Sequence, residues 1–543
     1  MTKKQTITIT TLTIIAIVLA LMVSSRLWFR LDLTKGSTYT ISAVSRNLHN
    51  EIPDQIRITY YLSDKLKAIH PLPGEIEDLL REYAAFSRGK IRLSVKDPAK
   101  ADMTSTVEQL GIIPQQIQTM EQDQASLMTI YTGIVIEYLD KVEVLPVVFS
   151  LETLEYDLTS RIRSMVRGSS RMLGVIAADY SRSWNEDYRL LQGAYIQAGY
   201  QLRLIQQGQD IPDTLPALLV LGGAESLDDI ALYQIDRYIR AGGKVLFTVK
   251  SVYIDTDANL DARLVEDGGL LAMLSSYGVT VLPEIVMDRS ALTMQYQTRS
   301  ATGMMQIRIT RNPQWIRVLG ENGNAGHPVS ANFGGLDMYW ANPLQLHPPQ
   351  GIEAAGLFTS TADAWSMREP FYTNPEIAYL MDRDAASTKG RKILGASLAG
   401  IFPSWFYGLP KPLRAAGPAG GLSDELPDMP REAQEGRILV IGETDFATSF
   451  LSVTGGQRNL DFLVQAADWL CNDDDIIGIR SRAASAGRLD KIVDEEERAA
   501  AIRFAQLVNV YLVPLLVIAA GIIFALRRRA RAHSGEKEHQ DGV

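Results

Sequence analysis

A single cysteine, Cys471, stands among 543 residues. That excludes an intramolecular disulfide, a CxxC redox pair and a cysteine-rich zinc site, and its distance from the N-terminus excludes a lipid-bearing N-terminal cysteine. Histidine is nearly as scarce: His49, His70, His327 and His347 lie in the body and His533 and His539 in the tail. None shows the i, i+4 spacing of a helical zinc site. A basic excess is missing too, since the net charge is −9, and this argues against a nucleic-acid partner, which selects a basic stripe. Heptads, short repeats and acidic tails are absent. Gly242-Gly243-Lys244 lacks the upstream glycine and the following Ser/Thr of a phosphate-binding loop, so its lysine should begin a strand and any ATP hydrolysis belongs to another polypeptide. No cofactor is expected.

What is present is a polar body between two apolar stretches, residues 7–23 and 507–526. At about 1.5 Å rise per residue the second spans roughly 30 Å, the thickness of a bilayer core. The first reaches that length with Leu27, Trp28 and Phe29 at the interface. Arg527, Arg528, Arg529 and Arg531 follow the second stretch and Asp494, Glu495, Glu496 and Glu497 precede it, which predicts a cytoplasmic C-terminus and an extracytoplasmic, periplasmic body. Two spans put both termini on the cytoplasmic side of the inner membrane. The flanks of the first stretch oppose one another, Lys3 and Lys4 against Arg26 and Arg30. Val23-Ser24-Ser25 also loosely resembles a signal-peptide cleavage site, so a retained anchor is the expectation and a cleaved signal the alternative.

The intervening length suffices for two or three domains with real cores. Residues 56–62 read as a strand, 75–87 as a helix and 90–95 as a second strand ending at Asp97-Pro98. Residues 99–110 read as helix, 127–138 and 141–149 as a hairpin about Asp140, and 154–166 as a closing helix. The order β-α-β-α-β-β-α is that of a thioredoxin-like α/β domain. Continuous apolar strands at 172–178, 218–221 and 244–249, separated by helices at 187–198 and 227–241, then predict a doubly wound parallel sheet. A strand at 437–441 and a helix at 459–470 should complete it after a Pro/Gly-rich linker. The expected organisation is therefore an anchor at 1–29, the thioredoxin-like domain at 30–168, an α/β domain at 169–485 with an insertion at about 251–409 and a linker at 410–436, a juxtamembrane segment at 486–503, a transmembrane helix at 504–529 and a tail at 530–543.

Short segments along this frame resemble the auxiliary proteins of gliding-motility-type ABC transport systems, the GldG-like family. They are Arg30-Leu31-Asp32-Leu33-Thr34 with Tyr39-Thr40-Ile41-Ser42, then Leu158-Thr159-Ser160-Arg161-Ile162, Ala241-Gly242-Gly243-Lys244-Val245 and His327-Pro328-Val329-Ser330. Gly400 with Ser404, Gly442-Glu443-Thr444-Asp445-Phe446, and Asn459 with Ala467, Trp469 and Leu470 follow in family order. The resemblance implies a second domain like class I glutamine amidotransferases, a membrane location, and an ABC permease and separate ATPase as partners.

Amidotransferase chemistry requires a thiolate on a sharp strand-to-helix turn with a histidine base. The turn after 218–221 instead reads Gly222-Gly223-Ala224-Glu225-Ser226, and Cys471 falls on a helix beside Trp469. Cys471 is expected to be a packed thiol, Ser226 a helix cap, His327 a structural hydrogen-bonding group, and Asp473-Asp474-Asp475 a solvated turn rather than a metal cluster. No catalytic, cofactor or metal residue is predicted. The candidate partner contacts are Arg30, Asp32, Thr34 and Tyr39 beside the first span, with Asn509 and Pro514 inside the second. There an amide and a proline-freed carbonyl favour a neighbouring helix, although Asn509 near the interface is equally explained by lipid exposure. The leading expectation is a non-catalytic accessory subunit; a receptor for a peptide or glycan and a hydrolase with an unrecognised site are the alternatives.

Overall fold

The computed structural model describes residues 41–471 except 101, 122–123, 150, 152–153, 169–170, 257–259, 300–303, 332, 375–384 and 415–424; beyond 471 only Ile479, Arg503, Phe504, Leu515, Ala519 and Gly521 are described. The chain divides into two compact units, Met1–Tyr39 with Ser485–Val543, and Thr40–Ala484. The second is mixed α/β. Among the described residues no helix is long and apolar enough to cross a membrane. The stretch 7–23 lies outside them, and of 507–526 only Leu515, Ala519 and Gly521 lie within, each helical.

The N-terminal part begins with α1 (Ala43–Glu51), whose first turn is capped by the Ser42 hydroxyl accepting the Ser45 N–H at 3.1 Å. Strand β1 (Ile56–Leu62), helix α2 (Leu72–Phe86) and strand β2 (Ile91–Lys96) form a parallel crossover with Ile56 opposite Ile91. A hairpin of β3 (Gln115–Glu121) and β4 (Gln124–Ile130) follows, then β5 (Thr132–Tyr138), β6 (Lys141–Leu145) and α3 (Leu154–Arg167). The sheet order is β2-β1-β5-β6, with β5 antiparallel to both its neighbours. The single strand expected over 127–138 is split at Tyr131. Its N–H donates to the Ser63 hydroxyl at 2.9 Å and its carbonyl accepts the Ser63 N–H at 3.0 Å. These bonds take Tyr131 out of the ladder, and β4 pairs with β3 in a separate hairpin.

In the second part β7 (Met172–Ala177), α4 (Arg189–Gln197), β9 (Ala217–Leu221), α5 (Asp229–Arg240) and β10 (Lys244–Thr248) appear where the sequence pattern predicts them, and a short strand the pattern did not predict, β8 (Gln201–Leu204), follows α4. The chain then makes the hairpin β11 (Val252–Asp255) and β12 (Asp261–Leu264), helix α6 (Leu270–Tyr277), and the short strands β13 (Val279–Val281) and β14 (Ile285–Met287). Next come the long hairpin β15 (Ala291–Arg299) and β16 (Met305–Val318), then β17 (Leu336–Tyr339), β18 (Leu344–Leu346) and β19 (Ile352–Thr359). Strands β20 (Trp365–Met367), β21 (Ile393–Ile401) and β22 (Glu435–Ile441) precede the closing helix α7 (Gln457–Cys471).

The large sheet runs β13-β18-β21-β22-β10-β9-β7-β8, with β19 also on β21. Its five-strand section from β22 to β8 is parallel. Strand β21 is antiparallel to β22, β18 and β19. The region 251–409, expected as an insertion, therefore supplies four strands to the main sheet, which is mixed rather than wholly parallel. Alternating side chains feed two cores: Leu219, Leu221, Leu439 and Ile441 pack under α4 and α7, and Leu218, Val220, Ile438 and Val440 under α5 and α6. The described parts of the expected linker pack on α5. Tyr233 donates to the Pro427 carbonyl at 3.0 Å and Arg240 to that of Pro430 at 2.8 Å.

Several residues of the family-like segments join distant elements. Asn459 accepts the Asp337 N–H at 3.0 Å and donates to the Asp337 and Phe446 carbonyls at 2.8 and 3.0 Å. Ser404 donates to the buried Asp236 carboxylate at 2.7 Å, which also accepts from Tyr277 at 2.6 Å and from the Phe406 N–H at 3.1 Å. In the N-terminal part Glu155 accepts the Ser42 N–H and the Ser45 hydroxyl, both at 2.6 Å, and Thr159 lies 2.8 Å from Ser45 and 3.0 Å from the Tyr83 hydroxyl.

His49 borders this seam, 3% exposed, its ring edge-on to Tyr83 at 4.9 Å, and neither nitrogen has a hydrogen-bond partner among the described residues. Burial, reinforced by Lys90 and opposed by Glu155, lowers its pKa to about 4. The unfolded chain, with a value of about 6.5, takes up the proton first. Stability is thus full above pH ~6.5 and is lost as pH falls toward and through the folded value, by on the order of 3 kcal/mol. His49→Phe keeps the ring contact and removes the proton site. We expect hydrogen exchange across α1 and α3 of the full-length protein to be slower in the variant than in wild type at pH 5, with a smaller difference at pH 7. Equal ratios at the two pH values would refute the assignment.

Candidate functional site

In an open α/β sheet the ligand crevice lies beyond the carboxyl ends of the strands, where successive connections leave in opposite directions. Here the chain passes from β7 outward to β8 and returns across β7 to β9, so that point falls between β7 and β9. A cleft of about 430 Å³ occupies it, walled by residues 178–181 after β7, 222–226 after β9, and Lys250, Tyr253 and Arg263 from the end of β10 and the β11–β12 hairpin. Gly222 and Gly223 adopt φ of 79° and 103°, and a Cβ on Gly222 would come within 2.9 Å of the Asp179 Cβ. Glycine is required for the two walls to approach so closely.

The charges of the cleft are paired. Asp179 accepts the Ser181 N–H at 3.0 Å, the Ser181 hydroxyl at 2.6 Å and the Lys250 ammonium at 3.2 Å. Burial alone would raise its pKa, but Lys250 and the Ser181 donors outweigh burial and hold the carboxyl below its ordinary range. Burial would likewise lower the pKa of Lys250, and Asp445 and Asp179 raise it instead. On the opposite wall Arg263 grips Glu225 through both guanidinium N–H groups, one of them at 3.0 Å, and Glu225 also accepts the Glu266 N–H at 3.1 Å. The Arg263 bond leads the effects that depress the Glu225 carboxyl. Both cations lie on the Tyr253 ring, Lys250 at 5.0 Å and Arg263 at 4.7 Å from its centre.

Behind the cleft the turn after β22 carries Glu443 and Asp445. Asp445 pairs with Arg182 at 2.6 Å. Glu443 is 1% exposed and accepts the N–H groups of Asp445 and of Phe446, the latter at 2.7 Å. Burial, then the neighbouring Asp445, drives its pKa well above the carboxylate range. This carboxyl closes its own turn and does not line the cleft.

Among the described residues no cysteine or histidine lines the cleft. The Ser226 hydroxyl donates to the Ala178 carbonyl and ties the turn to the end of β7. That corrects its expected role as a helix cap, which Asp228 fills by accepting the Ala231 N–H at 2.8 Å. Asp228 abuts the helix, whereas Ser226 faces back toward β7. Cys471 ends α7 among Arg171, Lys244, Tyr200 and Asp468, near the amino ends of β7 and β10 and so at the other end of the sheet. Burial pushes its thiol up to about 12, which keeps it protonated. His327 accepts the Val329 N–H at 3.2 Å and lies 5.2 Å from the Trp469 ring. Lys244 begins β10, away from the carboxyl ends. Among the described residues no three His, Cys, Asp or Glu are placed to hold a metal ion. Arg30, Asp32, Thr34, Tyr39, Asn509 and Pro514, like the run Asp473-Asp474-Asp475, lie outside the described residues.

Sequence reasoning found the Gly222–Ser226 turn and missed Asp179, Lys250, Tyr253 and Arg263. Asp179 and Lys250 were within reach: each stands one residue beyond a predicted strand's carboxyl end and two beyond the observed one. Tyr253 and Arg263 belong to a short hairpin that carries no such signal.

A domain of unknown function matches residues 35–137. A protein of Borreliella burgdorferi, described only as uncharacterized, is 24% identical over 510 residues, covering 92% of this chain and 94% of its own length. Among solved structures the mmIFT52 N-terminal domain has a TM-score of 0.32 at 12% identity, over 56% of this chain and 98% of that one. A ThuA-like protein from Parabacteroides merdae has a TM-score of 0.22 at 13% identity, over 42% and 74%. Scores this low describe distant likenesses of shape and assign nothing. The family described as an ABC-type uncharacterized transport system matches residues 170–466, more than half of the chain, and the chain belongs to that family.

Proposed function

We propose that the protein is a non-catalytic accessory subunit of an ABC transport system, of the gliding-motility, GldG-like type, acting with a permease and a separate ATPase. The observation that carries this reading is the cleft. It lies where an α/β domain places its chemistry, yet its two prominent cations are held by Asp179 and Glu225, its turn offers no nucleophile, and no histidine lines it. Family membership supplies the transport context. The order β2-β1-β5-β6 supports a thioredoxin-like N-terminal domain, and the five parallel strands with helices on both faces support an amidotransferase-like second domain. The two apolar stretches support anchoring in the cytoplasmic membrane with the body outside, and two spans alone cannot enclose a polar path, so the conduit comes from partner helices. A receptor for a peptide or glycan is the second reading, favoured by the roughly 430 Å³ of open cleft. It would show as ligand-dependent thermal stabilisation.

Three outcomes test the leading proposal. Affinity purification of the full-length protein from native membranes should bring down a permease and an ATPase. Replacing 507–526 by an unrelated span should weaken that association, and Asn509→Leu should weaken it by on the order of 1 kcal/mol, one interhelical hydrogen bond. A protein purified without partners yet active alone would overturn the accessory reading.

Topology is tested separately. A reporter active only in the cytoplasm should work after Val543 and stay silent within 415–424; the opposite pattern would reverse the orientation.

Chemistry is tested by Cys471→Ala and Ser226→Ala, each of which should preserve transport-dependent growth at a stability loss of about 1–2 kcal/mol or less. Loss of function by Cys471→Ala in a folded, assembled protein would contradict the non-catalytic assignment.

A further inference from the structure

The hairpin of β15 and β16 is the one long element whose outer part lacks a cover among the described residues. Its base is rooted in the body: Leu292, Trp315 and Ile316 are buried, and Trp315–Val318 pair with β17. A register shift between Ala291 and Leu292 leaves residues 313–315 of β16 without partners on β15, while the Asn312 carbonyl oxygen of the side chain accepts the Gln314 N–H at 3.1 Å. Such a bulge turns the strands away from their sheet. Beyond it Gln295 pairs with Ile309, and the ladder continues through Arg299 opposite Met305. Neither edge of this section joins another strand among the described residues. An isolated two-stranded ribbon is marginal in water.

One strand of the ribbon carries an apolar row. Successive residues of a strand point to opposite faces, so Met305, Ile307 and Ile309 share one face, and they are 59%, 69% and 65% exposed; the register sets the β15 positions Arg299, Gln297 and Gln295 opposite them. Arg311 follows on the same face, about 7 Å behind Ile309 at the rise of a strand. Arg308 is exposed on the other face. The charge of this segment is unlike that of the chain. Between Asp288 and Glu321 there are five arginines and no acidic residue, in a protein of net charge −9. Arg317 pairs with Asp337 and Arg289 lies over the Trp365 ring. Arg308 and Arg311 have no ion-pair partner among the described residues.

We propose that the β15–β16 ribbon docks on an anionic phospholipid surface, with Met305, Ile307 and Ile309 entering the acyl boundary and Arg308 and Arg311 at the headgroups. Entering tip first, the ribbon brings Met305, Ile307 and Ile309 to the bilayer ahead of Arg311, and interfacial elements bury their apolar residues about 5–10 Å into the headgroup and acyl boundary. Cations on long stems reach back to the polar layer. A protein surface fits less well, because three side chains of this size bury less than half of the roughly 800 Å² per partner that a stable protein interface needs. A bilayer demands neither that area nor shape complementarity. The proposal concerns a surface separate from the cleft and stands whether or not the accessory reading holds.

The test uses the full-length protein with Ile307→Cys and Cys471→Ala, so that the label goes to position 307 alone. An environment-sensitive fluorophore is attached at 307, and the protein is reconstituted in phosphatidylcholine bilayers with or without phosphatidylglycerol. We expect blue-shifted emission and quenching by spin-labelled lipid in the anionic bilayers, and much less of both in phosphatidylcholine alone. Arg308→Gln and Arg311→Gln should each weaken the anionic preference about fivefold, and Met305→Ser with Ile309→Ser should abolish the blue shift, with the melting temperature unchanged. Absence of quenching in both lipids, equal quenching in both, or shielding of the label by a co-purified protein in detergent without added lipid would each overturn the proposal.

Discussion

The second domain depends on one strand. Residues of β22 have β10 as parallel neighbour and β21 as antiparallel neighbour, so Leu439 stands between Leu246 and Ser397. A strand wholly inside a sheet must satisfy its backbone on both edges and bury both faces. Ile438, Leu439, Val440 and Ile441 have no exposed surface and divide between the two cores. Because β10 ends at Thr248 and β22 begins at Glu435, nearly two hundred residues must leave the sheet and return to its middle. Their path then follows: β21 arrives antiparallel, β18, β19 and β13 extend that side, and α7 closes the face that β22 completes.

The same geometry explains what was legible in sequence. Strands buried on both faces announce themselves as continuous apolar runs, and β7, β9, β10 and β22 were each readable from a few residues. Helix α5 was readable from its stripe of Tyr233, Ile235 and Ile239, although its cap is Asp228 rather than Ser226. The strands of 251–409 were not. Val279–Val281, Leu344–Leu346 and Trp365–Met367 have three residues each, too few for alternation to separate from loop, and β21 owes its place to pairing with β22 rather than to its own pattern. Tyr131 failed for a related reason: a bond to Ser63, nearly seventy residues away, breaks a strand whose local sequence is uniformly favourable.

The cleft was half legible. Its glycine turn was readable as the end of a buried apolar strand. Its charge arrangement was not, because Arg263 reaches Glu225 only when the β11–β12 hairpin folds over the strand ends. A mostly buried lysine and an exposed arginine, each held by a carboxylate and each over one tyrosine ring, form a polar wall. Groups already committed to strong partners are poor at taking or giving protons during a reaction, yet the remaining lone pairs and N–H groups can still receive a bound polar molecule.

Among the family-like residues, Thr159 bridges α1 and α2 through Ser45 and Tyr83, Ser404 ties the segment after β21 to Asp236 of α5, and Asn459 of α7 holds β17 and the turn at Phe446 together. Glu443 folds back on its own turn, and Gly400, at φ 145°, leaves no space for a side chain beside the Gly351 carbonyl. Each joins segments far apart in the chain or closes a turn between them, and none of them lines the cleft. A polar residue that must satisfy two or three buried backbone groups tolerates little replacement, because loss of one partner leaves the others unpaired in a dry interior. The short segments that made the resemblance visible thus specify a shape, and that shape can be common to relatives whose exposed surfaces meet different partners.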